Sequence, residues 1–148
     1  ELTKCYLDIQ RYRYPDVFQV EVKCEEGLKD CLVPKTMIQP LVENAIFHGL
    51  EAKSEAGTVI IESAFQGGNL LLTITDDGAG MDAKTLENVR ASCRQTVIKD
   101  AHSIGMSNVH NRIRLNYGED YGMSIDSIQG MGTTITLLMP AVIQKEDT

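Results

Sequence analysis

The segment TVIIESAFQGGNLLLTITDDGAG, Thr58–Gly80, contains two predicted strands and the turn between them. Apolar and polar residues alternate along Thr58–Phe65 and again along Asn69–Thr75, which is the period of a half-buried strand. Gln66-Gly67-Gly68 between them has the composition of a turn, so we expect an antiparallel hairpin. The second strand runs directly into Asp76-Asp77-Gly78-Ala79-Gly80, where a carboxylate meets flexible glycines.

The sequence on both sides of this hairpin predicts further strands and helices. Alternation predicts strands at Phe18–Cys24, Met123–Ile128 and Thr133–Met139, the last two around the turn Gln129–Gly132. Helical spacing predicts helices over residues 2–14, 36–50, 82–93 and about 107–117. Residues 94–104 are polar and lack periodicity. Because hairpins dominate over crossovers, we expect an α/β two-layer sandwich, with a mixed, mainly antiparallel sheet covered on one face by helices.

The predicted helix over residues 36–50 has two distinct faces. Thr36 is its expected N-cap. The expected buried stripe is Met37, Ile38, Leu41, Val42, Ala45 and Ile46. Asn44, Phe47 and His48 fall on a different face, with Glu43 at its margin.

Composition narrows the function classes. The 148 residues are 43% hydrophobic and 24% charged, as in one ordinary globular domain, which we assign to residues 1–143 with a tail at 144–148. The net charge of -7 and the lack of a basic run exclude a nucleic-acid binder. A single nucleotide remains compatible, because backbone N–H groups and a metal ion can hold its phosphates.

The four cysteines, Cys5, Cys24, Cys31 and Cys93, include no close pair, so the sequence predicts neither a zinc site nor a redox motif. We expect reduced cysteines in a cytosolic compartment. No apolar stretch approaches the roughly 18 residues that span a bilayer, and the charged start is not a signal peptide. We expect a soluble piece of a longer protein, because the chain begins inside a helical pattern.

Four local patterns are candidates for a ligand site, and each has a plain structural alternative. Asp76-x-Gly78-x-Gly80 lets a backbone approach a ligand beside a carboxylate, or is an Asp-Gly turn. Gly105 opens a predicted helix whose N–H groups attract phosphate, or ends a flexible loop. Gly130-Met131-Gly132-Thr133 is a second close approach or a tight hairpin. Asn44 is a Mg²⁺ ligand or a solvated helix residue.

In order and spacing these patterns resemble the four nucleotide-binding boxes of the histidine-kinase/gyrase/Hsp90/MutL ATPase superfamily. The matching segments are Gln39–Gly49, Asp76–Met81, Ile104–Val109 and Gly130–Thr134. Within that superfamily the chain is similar to the LytS/YesM type of bacterial sensor kinase, which Tyr6–Arg13 and Asn111–Gly118 also resemble. The resemblance covers roughly residues 1 to 140.

The resemblance implies a role for each matching residue. Asp76 would accept a hydrogen bond from the adenine amino group, with Gly78 and Gly80 beside the base. Asn44 would hold Mg²⁺ against the triphosphate of ATP. Gly105 would lie next to the phosphates, under a lid formed by residues 90–103. The remaining residues of the implied binding set are His48, Met81, Ile104, Met106, Gly132 and Thr134, the last two packing behind the adenine.

Two positions depart from the family pattern. Ser103 replaces the first lid glycine, which restricts the backbone there. Phe47 stands where related kinases often carry a basic residue. The phosphate-neutralising cation would then be supplied by one of Lys53, Arg94, Lys99 and His102, among which the sequence does not choose.

The implied chemistry is transfer of the ATP γ-phosphoryl group to a histidine nitrogen. None of His48, His102 and His110 matches the phosphoacceptor motif, so we expect the acceptor on a separate upstream helix, and His110 to cap or solvate a helix. Glu43 adjoins Asn44 and points about 100° away on a helix, which limits it to a supporting catalytic role. We therefore expect slow intrinsic hydrolysis of ATP.

The implied context is the cytoplasmic domain of a membrane-anchored receptor that forms a homodimer and signals to a response regulator. Two alternatives remain open. One is a non-catalytic adenine-nucleotide sensor, in which Ser103 and Phe47 have removed turnover. The other is a serine kinase of the anti-sigma-factor type, which shares the boxes.

Overall fold

The structure is a computed structural model that describes residues 8, 9, 12, 18–28, 30–34, 37–50, 56–95 and 101–142, with only the backbone at 48–50 and 101–104. Asp8, Ile9 and Tyr12 are helical. The rest of the predicted N-terminal helix, the predicted tail and residues 96–100 lie outside the described residues. No helix among the described residues has the length and apolar composition that crossing a bilayer requires.

Among the described residues, five strands form one mixed sheet in the order β1-β2-β3-β5-β4. They are β1 (Phe18–Cys24), β2 (Gly57–Gln66), β3 (Asn69–Asp76), β4 (Gly122–Ile128) and β5 (Gly132–Pro140). β1 and β2 pair in parallel, and the other neighbours pair antiparallel. Every strand begins and ends within one residue of its predicted bounds. Local alternation and turn glycines are therefore sufficient to predict these strands.

One face of the sheet carries the hydrophobic core. Ile61, Ile74, Ile135 and Ile125 form a continuous row across β2, β3, β5 and β4. All four side chains are buried. The intervening residues of β3 and β5, several of them threonines, point to the other face and stay half-buried.

Within residues 37–142, as far as the structure describes them, three helices supply the other layer of the sandwich. They are α1 (Ile38–Asn44), which continues as a π-helical turn over Ala45–Leu50, α2 (Ala83–Arg94) and α3 (Ala101–Tyr117). A short 3₁₀ turn spans Glu26–Leu28. Buried residues of the helices and of the inner sheet face form one hydrophobic cluster. The predicted α/β sandwich is confirmed.

The first helix differs from its prediction at both ends. Met37, fully buried, occupies the N-cap position in a helical conformation, and no side chain caps the helix there. The predicted cap, Thr36, lies outside the described residues. After Asn44 the hydrogen bonding changes from α to π, which alters the angular position of every later residue. Phe47 consequently packs against the core instead of facing away from it.

The start of α2 is confirmed. Asp82 is the N-cap, and its Oδ1 accepts a hydrogen bond from the Thr85 N–H at 2.7 Å. This bond from Thr85 lowers the pKa of the Asp82 carboxyl below its usual value. The cap ends the glycine-containing loop that begins at Asp76 and directs the chain into the helix.

The predicted start of the last helix near Ser107 is wrong, because α3 already begins at Ala101. Gly105 lies inside α3, where a backbone N–H bonds the carbonyl four residues earlier and not an anion. A Cβ placed on Gly105 would lie 3.5 Å from the Pro40 Cβ, so α3 packs against α1 at this point. Tertiary packing, including the buried Met106, outweighs the low helix propensity of glycine.

Candidate functional site

Three polar side chains form a row across the end of the sheet. Asp76 on β3 pairs with Thr133 on β5, which pairs with Ser127 on β4. Directly opposed residues of antiparallel strands project to the same face, here the face of the core and the helices. Asp76 is 5% exposed and Thr133 is 7% exposed. Buried polar groups in a core row are costly unless they are hydrogen-bonded, so this end of the sheet differs from the rest of the layer.

The carboxylate of Asp76 is held in place by the loop that follows it. The Gly78 N–H donates to Asp76 Oδ1 at 2.9 Å, and Gly78 itself is buried. An ionised carboxylate only accepts hydrogen bonds, so this bond fixes the orientation of the group at the end of β3. The predicted binding residues Asp76 and Gly78 thus lie in one small buried turn.

Two glycines permit a close approach between the loop after β3 and the β4–β5 turn. Gly80 has φ +64°, and a Cβ there would overlap the carbonyl oxygen of Ile128. Gly132 has φ +124°, and a Cβ there would overlap the carbonyl oxygen of Asp76. The Gly130 N–H also donates to the Ala79 carbonyl at 2.6 Å. The two glycine motifs, far apart in sequence, are therefore one structural unit.

Ser127 connects the same two segments through its hydroxyl. Ser127 Oγ accepts from the Met81 N–H at 2.8 Å, lies 2.9 Å from the Gly132 carbonyl oxygen, and lies 2.9 Å from Thr133 Oγ1. Met81, a predicted binding residue, packs its half-buried side chain against the core. The contacts fix the loop after β3 to both strands of the final hairpin.

Asp77 fastens the other side of this loop. Its Oδ1 accepts from the Thr58 N–H at 2.7 Å, and its own N–H donates to the Thr58 carbonyl at 3.3 Å. The side chain of Asp77 is exposed, whereas that of its neighbour Asp76 is buried. The adjacent carboxylates therefore have different tasks: Asp77 attaches the loop to β2, and Asp76 faces the interior.

Thr134, the predicted threonine of the site, lies on the opposite face of the sheet from Asp76. Its Oγ1 is 3.3 Å from that of Thr75, its partner on β3. Strand side chains alternate in direction, so only one residue of the Thr133–Thr134 pair can face Asp76. That residue is Thr133. The Gly130–Thr134 box includes Thr133 but does not indicate which threonine faces Asp76, and no sequence motif includes Ser127, because no local pattern reports the register between β3, β5 and β4.

A pocket of about 200 Å³ lies at this end of the sheet, and residues of both faces line it: Asp76, Ser127 and Thr133 from the core face, and Thr75, Thr134 and Asp126 from the other. A larger pocket, about 460 Å³, lies toward the other end, beside Cys24 and Ala64. Volume would favour the larger one. The larger pocket contains none of the predicted binding residues, so the combination of buried carboxylate, close-packed glycines and paired hydroxyls favours the smaller one.

The predicted catalytic residues Glu43 and Asn44 are half-buried at the end of α1. Glu43 Oε1 accepts a hydrogen bond from Gln39 Nε2 at 3.2 Å, one turn earlier on the helix. Asn44 is the last α-helical residue, and the π turn after it packs against β2, β3 and β5. The helix thus brings Asn44 to the junction between helical layer and sheet.

The remaining members of the predicted binding set fall into two groups. Met106 is 3% exposed and belongs to the hydrophobic core, and Gly105 is half-buried within α3. For His48 and Ile104, the structure describes the backbone alone. The structure therefore places neither Gly105 nor Met106 at a helix N-terminus, contrary to the sequence analysis.

The predicted lid does not begin at Arg90. Arg90 lies on α2, and its guanidinium donates from Nε at 2.9 Å and from Nη2 at 2.7 Å to the Ile125 carbonyl, and at 2.8 Å to Asp126 Oδ1. These bonds attach α2 to the outer edge of β4. Arg94, a candidate phosphate ligand, is exposed and lies 3.9 Å from Glu87. Lys53 and Lys99 lie outside the described residues, as does the side chain of His102.

His110 connects α3 to β4, so the prediction that it caps or solvates a helix is wrong. The Met123 N–H donates to His110 Nδ1 at 3.0 Å. Burial, together with the nearby charge of Arg114, lowers the pKa of His110 below its usual value. A ring nitrogen that accepts a backbone hydrogen bond must be unprotonated, which is consistent with a neutral imidazole.

The sequence profile of the family described as "Histidine kinase-, DNA gyrase B-, and HSP90-like ATPase" matches residues 30–143. The chain belongs to this ATPase family. The matched range includes α1, the loop after β3, α3 and the β4–β5 turn, so each contact described above joins segments of the family domain. The resemblance found in the four boxes is confirmed.

Within this ATPase family the similar proteins are sensor kinases. "Sensor histidine kinase YesM" of Bacillus subtilis is 32% identical over 140 residues, which cover 95% of this chain and 22% of that protein. "Sensor histidine kinase YpdA" of Escherichia coli is 36% identical over 137 residues, covering 93% and 23%. "Sensor protein kinase HptS" of Staphylococcus aureus is 33% identical over 135 residues, covering 91% and 26%. The chain spans about a quarter of the length of these relatives.

Solved structures of two histidine kinases share the fold. The histidine kinase domain of the Erythrobacter litoralis EL346 blue-light activated histidine kinase has a TM-score of 0.62 at 16% identity, covering 95% of this chain and 59% of that one. The mycobacterial sensor histidine kinase MprB has a TM-score of 0.62 at 18% identity, covering 95% and 93%. The likeness extends to the arrangement of sheet and helices.

Proposed function

We propose that this chain is the ATP-binding catalytic domain of a two-component sensor histidine kinase, which transfers the ATP γ-phosphoryl group to a histidine on a separate upstream domain. The observation that carries the proposal is the buried Asp76 carboxylate, oriented by Gly78 and enclosed by the β4–β5 turn. Membership of the ATPase family and the sequence identity of about a third with three sensor kinases support it. The domain comprises residues 1–143, followed by a tail at 144–148.

The base of the nucleotide binds at the Asp76 end of the sheet. A carboxylate accepts hydrogen bonds and donates none, so it suits the amino group of adenine and repels the 6-oxo group of guanine. Because Thr133 faces the same side as Asp76, we place it in the base site instead of Thr134. Gly80 and Gly132 allow the loop after β3 to pack against the β4–β5 turn, which encloses this end of the sheet. Met81 and His48 complete this part of the site.

The chemistry of Asn44 fits Mg²⁺. A carboxamide oxygen is a hard ligand of the kind that Mg²⁺ prefers. The ion binds six oxygen ligands, and Asn44 supplies only one of them. The other ligands are phosphate oxygens and water, so Mg²⁺ binds together with the nucleotide and neutralises phosphate charge. Gly105, Ile104 and Met106 border the phosphates only if the first turns of α3 rearrange, because Gly105 is helical in the structure.

Phosphoryl transfer depends mainly on positioning and charge neutralisation. Glu43 accepts from Gln39 along the helix surface, so we assign it a supporting role beside Asn44. His110 is not the phosphoacceptor, because the lone pair of its Nδ1 accepts the hydrogen bond from the Met123 N–H. None of His48, His102 and His110 matches the phosphoacceptor motif, so the acceptor histidine belongs to a separate upstream helix of the same receptor. In that receptor the domain works as part of a homodimer on the cytoplasmic side of a membrane and passes its phosphoryl group to a response regulator.

A non-catalytic adenine-nucleotide sensor is the second candidate, and one observation favours it. Phe47, at the position where related kinases often carry a cation, is packed against the core. A packed phenyl ring cannot neutralise a phosphate. The two candidates share the base site and differ in phosphoryl transfer.

Calorimetric titration with ADP, with and without Mg²⁺, tests the site. Asp76→Asn should weaken ADP binding about 10- to 100-fold, the magnitude of one hydrogen bond to a charged group. Asp77→Asn is the matched control, because it removes the same charge next door and keeps an acceptor for Thr58. Asn44→Ala should abolish the strengthening of binding by Mg²⁺. No binding by the unaltered chain, or equal losses in the two Asp variants, would contradict the proposal.

Phosphoryl transfer separates the two candidates. The chain is incubated with radiolabelled ATP, Mg²⁺ and the histidine-bearing segment of the longer protein, and acid-labile label on that segment is measured. If the segment becomes labelled and Asn44→Ala abolishes the labelling, the kinase candidate is supported. Tight, adenine-selective binding without label supports the sensor.

A further inference from the structure

Three polar groups lie within hydrogen-bond distance of the Ser127 hydroxyl. The Met81 N–H lies 2.8 Å from Oγ, the Gly132 carbonyl oxygen lies at 2.9 Å, and Thr133 Oγ1 lies at 2.9 Å. A serine hydroxyl carries one proton and two acceptor lone pairs. Three neighbours therefore use all of its capacity, and only one assignment of protons satisfies all three contacts.

That assignment follows from two neighbours that have no choice. The Met81 N–H can only donate, and the Gly132 carbonyl can only accept. The single proton of Ser127 must then go to Gly132, which leaves the second lone pair of Ser127 for Thr133. Thr133 must donate its own proton to Ser127. With that proton engaged, Thr133 Oγ1 offers only lone pairs to any other group.

We infer that Ser127 is a positioning residue that holds the Thr133 hydroxyl as a pure acceptor, so that the base site selects a 6-amino purine over a 6-oxo purine. The inference rests on the proposed function, because it requires that the base binds beside Asp76. Thr133 is the cross-strand partner of both Asp76 and Ser127. The base then meets two acceptors on adjacent strands, Asp76 and Thr133.

The selectivity has a simple chemical origin. The 6-amino group of adenine brings N–H donors to these acceptors. The 6-oxo group of hypoxanthine brings lone pairs, which an acceptor-only hydroxyl cannot satisfy. If Ser127 loses its hydroxyl, the Thr133 proton is released and can be donated to a 6-oxo group. The preference for a 6-amino purine over a 6-oxo purine then falls, although Asp76 is unchanged.

A purely structural role for Ser127 predicts a different result. Loss of the bond to the Met81 N–H would loosen the loop after β3 and weaken every nucleotide by the same factor. The ratio of the ADP and IDP affinities therefore distinguishes positioning of a proton from support of the loop. These diphosphates differ at the purine 6-position and N1 and are not consumed by kinase activity.

The experiment measures the ADP and IDP affinities of the chain by calorimetry, with folding of each variant checked by thermal melting. Ser127→Ala should lower the preference for ADP about tenfold, the effect of one neutral hydrogen bond. Ser127→Thr, which keeps a hydroxyl, should retain the preference. Ser124→Ala on the same strand is the control, because Ser124 is exposed on the other face of the sheet and should not affect either affinity.

A double-mutant cycle completes the test. In a Thr133→Val background no hydroxyl remains to be oriented, so adding Ser127→Ala should leave the ADP preference unchanged. Equal losses for ADP and IDP in Ser127→Ala, or the same change of ratio in both backgrounds, would overturn the inference while leaving the base site intact. If Ser127→Ala does not fold, Ser127→Cys, whose thiol is a weak donor and acceptor, is read in the same way. An unaltered chain that binds neither nucleotide would refute both the proposed function and the inference.

Discussion

Gly132 and Asp76 lie so close across β5 and β3 that a Cβ on Gly132 would overlap the Asp76 carbonyl oxygen. The carboxylate that we assign to the base and the glycine turn that follows β4 are therefore one packed unit, although 55 or so residues separate them in the chain. This contact explains why the two glycine motifs occur together, and it leads to the first prediction.

Gly132→Ala should destabilise the fold by about 3 kcal/mol or more, because the substitution combines an unfavourable φ with a backbone overlap. Gly130→Ala is the matched control in the same turn. Gly130 also has a positive φ, +81°, but a Cβ there would meet nothing within 4 Å. Its cost should stay near 1 kcal/mol. Urea denaturation measures both, and equal costs would show that the close packing against Asp76 is incorrect.

Arg90→Ala should lower the free energy of unfolding by about 1–2 kcal/mol, because it removes the hydrogen bonds that attach α2 to the Ile125 carbonyl. Arg94→Ala, one turn later on the same helix, should cost less than about 0.5 kcal/mol, because its ion pair with Glu87 is exposed. Chemical denaturation of the two variants compares them directly. A larger loss of stability in Arg94→Ala than in Arg90→Ala would contradict the attachment of α2 to β4 through Arg90.

Gly105→Ala should stabilise the nucleotide-free domain by about 0.5–1 kcal/mol, because alanine favours helix over glycine. The added methyl group would lie 3.5 Å from the Pro40 Cβ, an ordinary contact distance. Thermal or urea denaturation without nucleotide tests this, with Gly118→Ala as a contrast: Gly118 ends α3 at φ +109°, so that substitution should destabilise. Destabilisation by Gly105→Ala would argue that residue 105 is not helical.

His110 should make stability depend on pH. Burial, and to a lesser extent the charge of Arg114, holds its pKa in the folded chain below the usual value of about 6.5. The unfolded chain then takes up a proton first as the pH falls. The contribution of His110 is therefore complete above about pH 6.5 and is lost as the pH falls through the folded pKa.

Denaturation from pH 8 to pH 5 in the unaltered chain and in His110→Gln measures this contribution. The glutamine amide oxygen can still accept from the Met123 N–H but does not titrate in this range. The difference between the two stability curves should be constant above about pH 6.5 and change below it, with the unaltered chain losing more stability as the pH falls. Parallel curves would contradict a lowered pKa of His110 in the folded chain.

Much of the site could be predicted from sequence because its parts are local motifs. Asp76, Gly78 and Gly80 follow a strand within a few residues, and their types limit what that turn can be. The four boxes could be recognised without coordinates for the same reason. Residues such as Ser127 carry no local signal, since a serine on an edge strand is ordinary until its three neighbours are known.

The strands, the helix that begins after Asp82 and the carboxylate–glycine motif could all be predicted from the amino-acid sequence, because alternation, turn glycines and caps act over a few neighbouring residues. Tertiary structure alone decided that Thr133 and not Thr134 faces Asp76, that Phe47 turns into the core, and that α3 extends back past Gly105. The physical reason is the same in each case. Strand register, the change from α to π hydrogen bonding, and helix packing depend on contacts between segments distant in the chain, which outweigh local propensity.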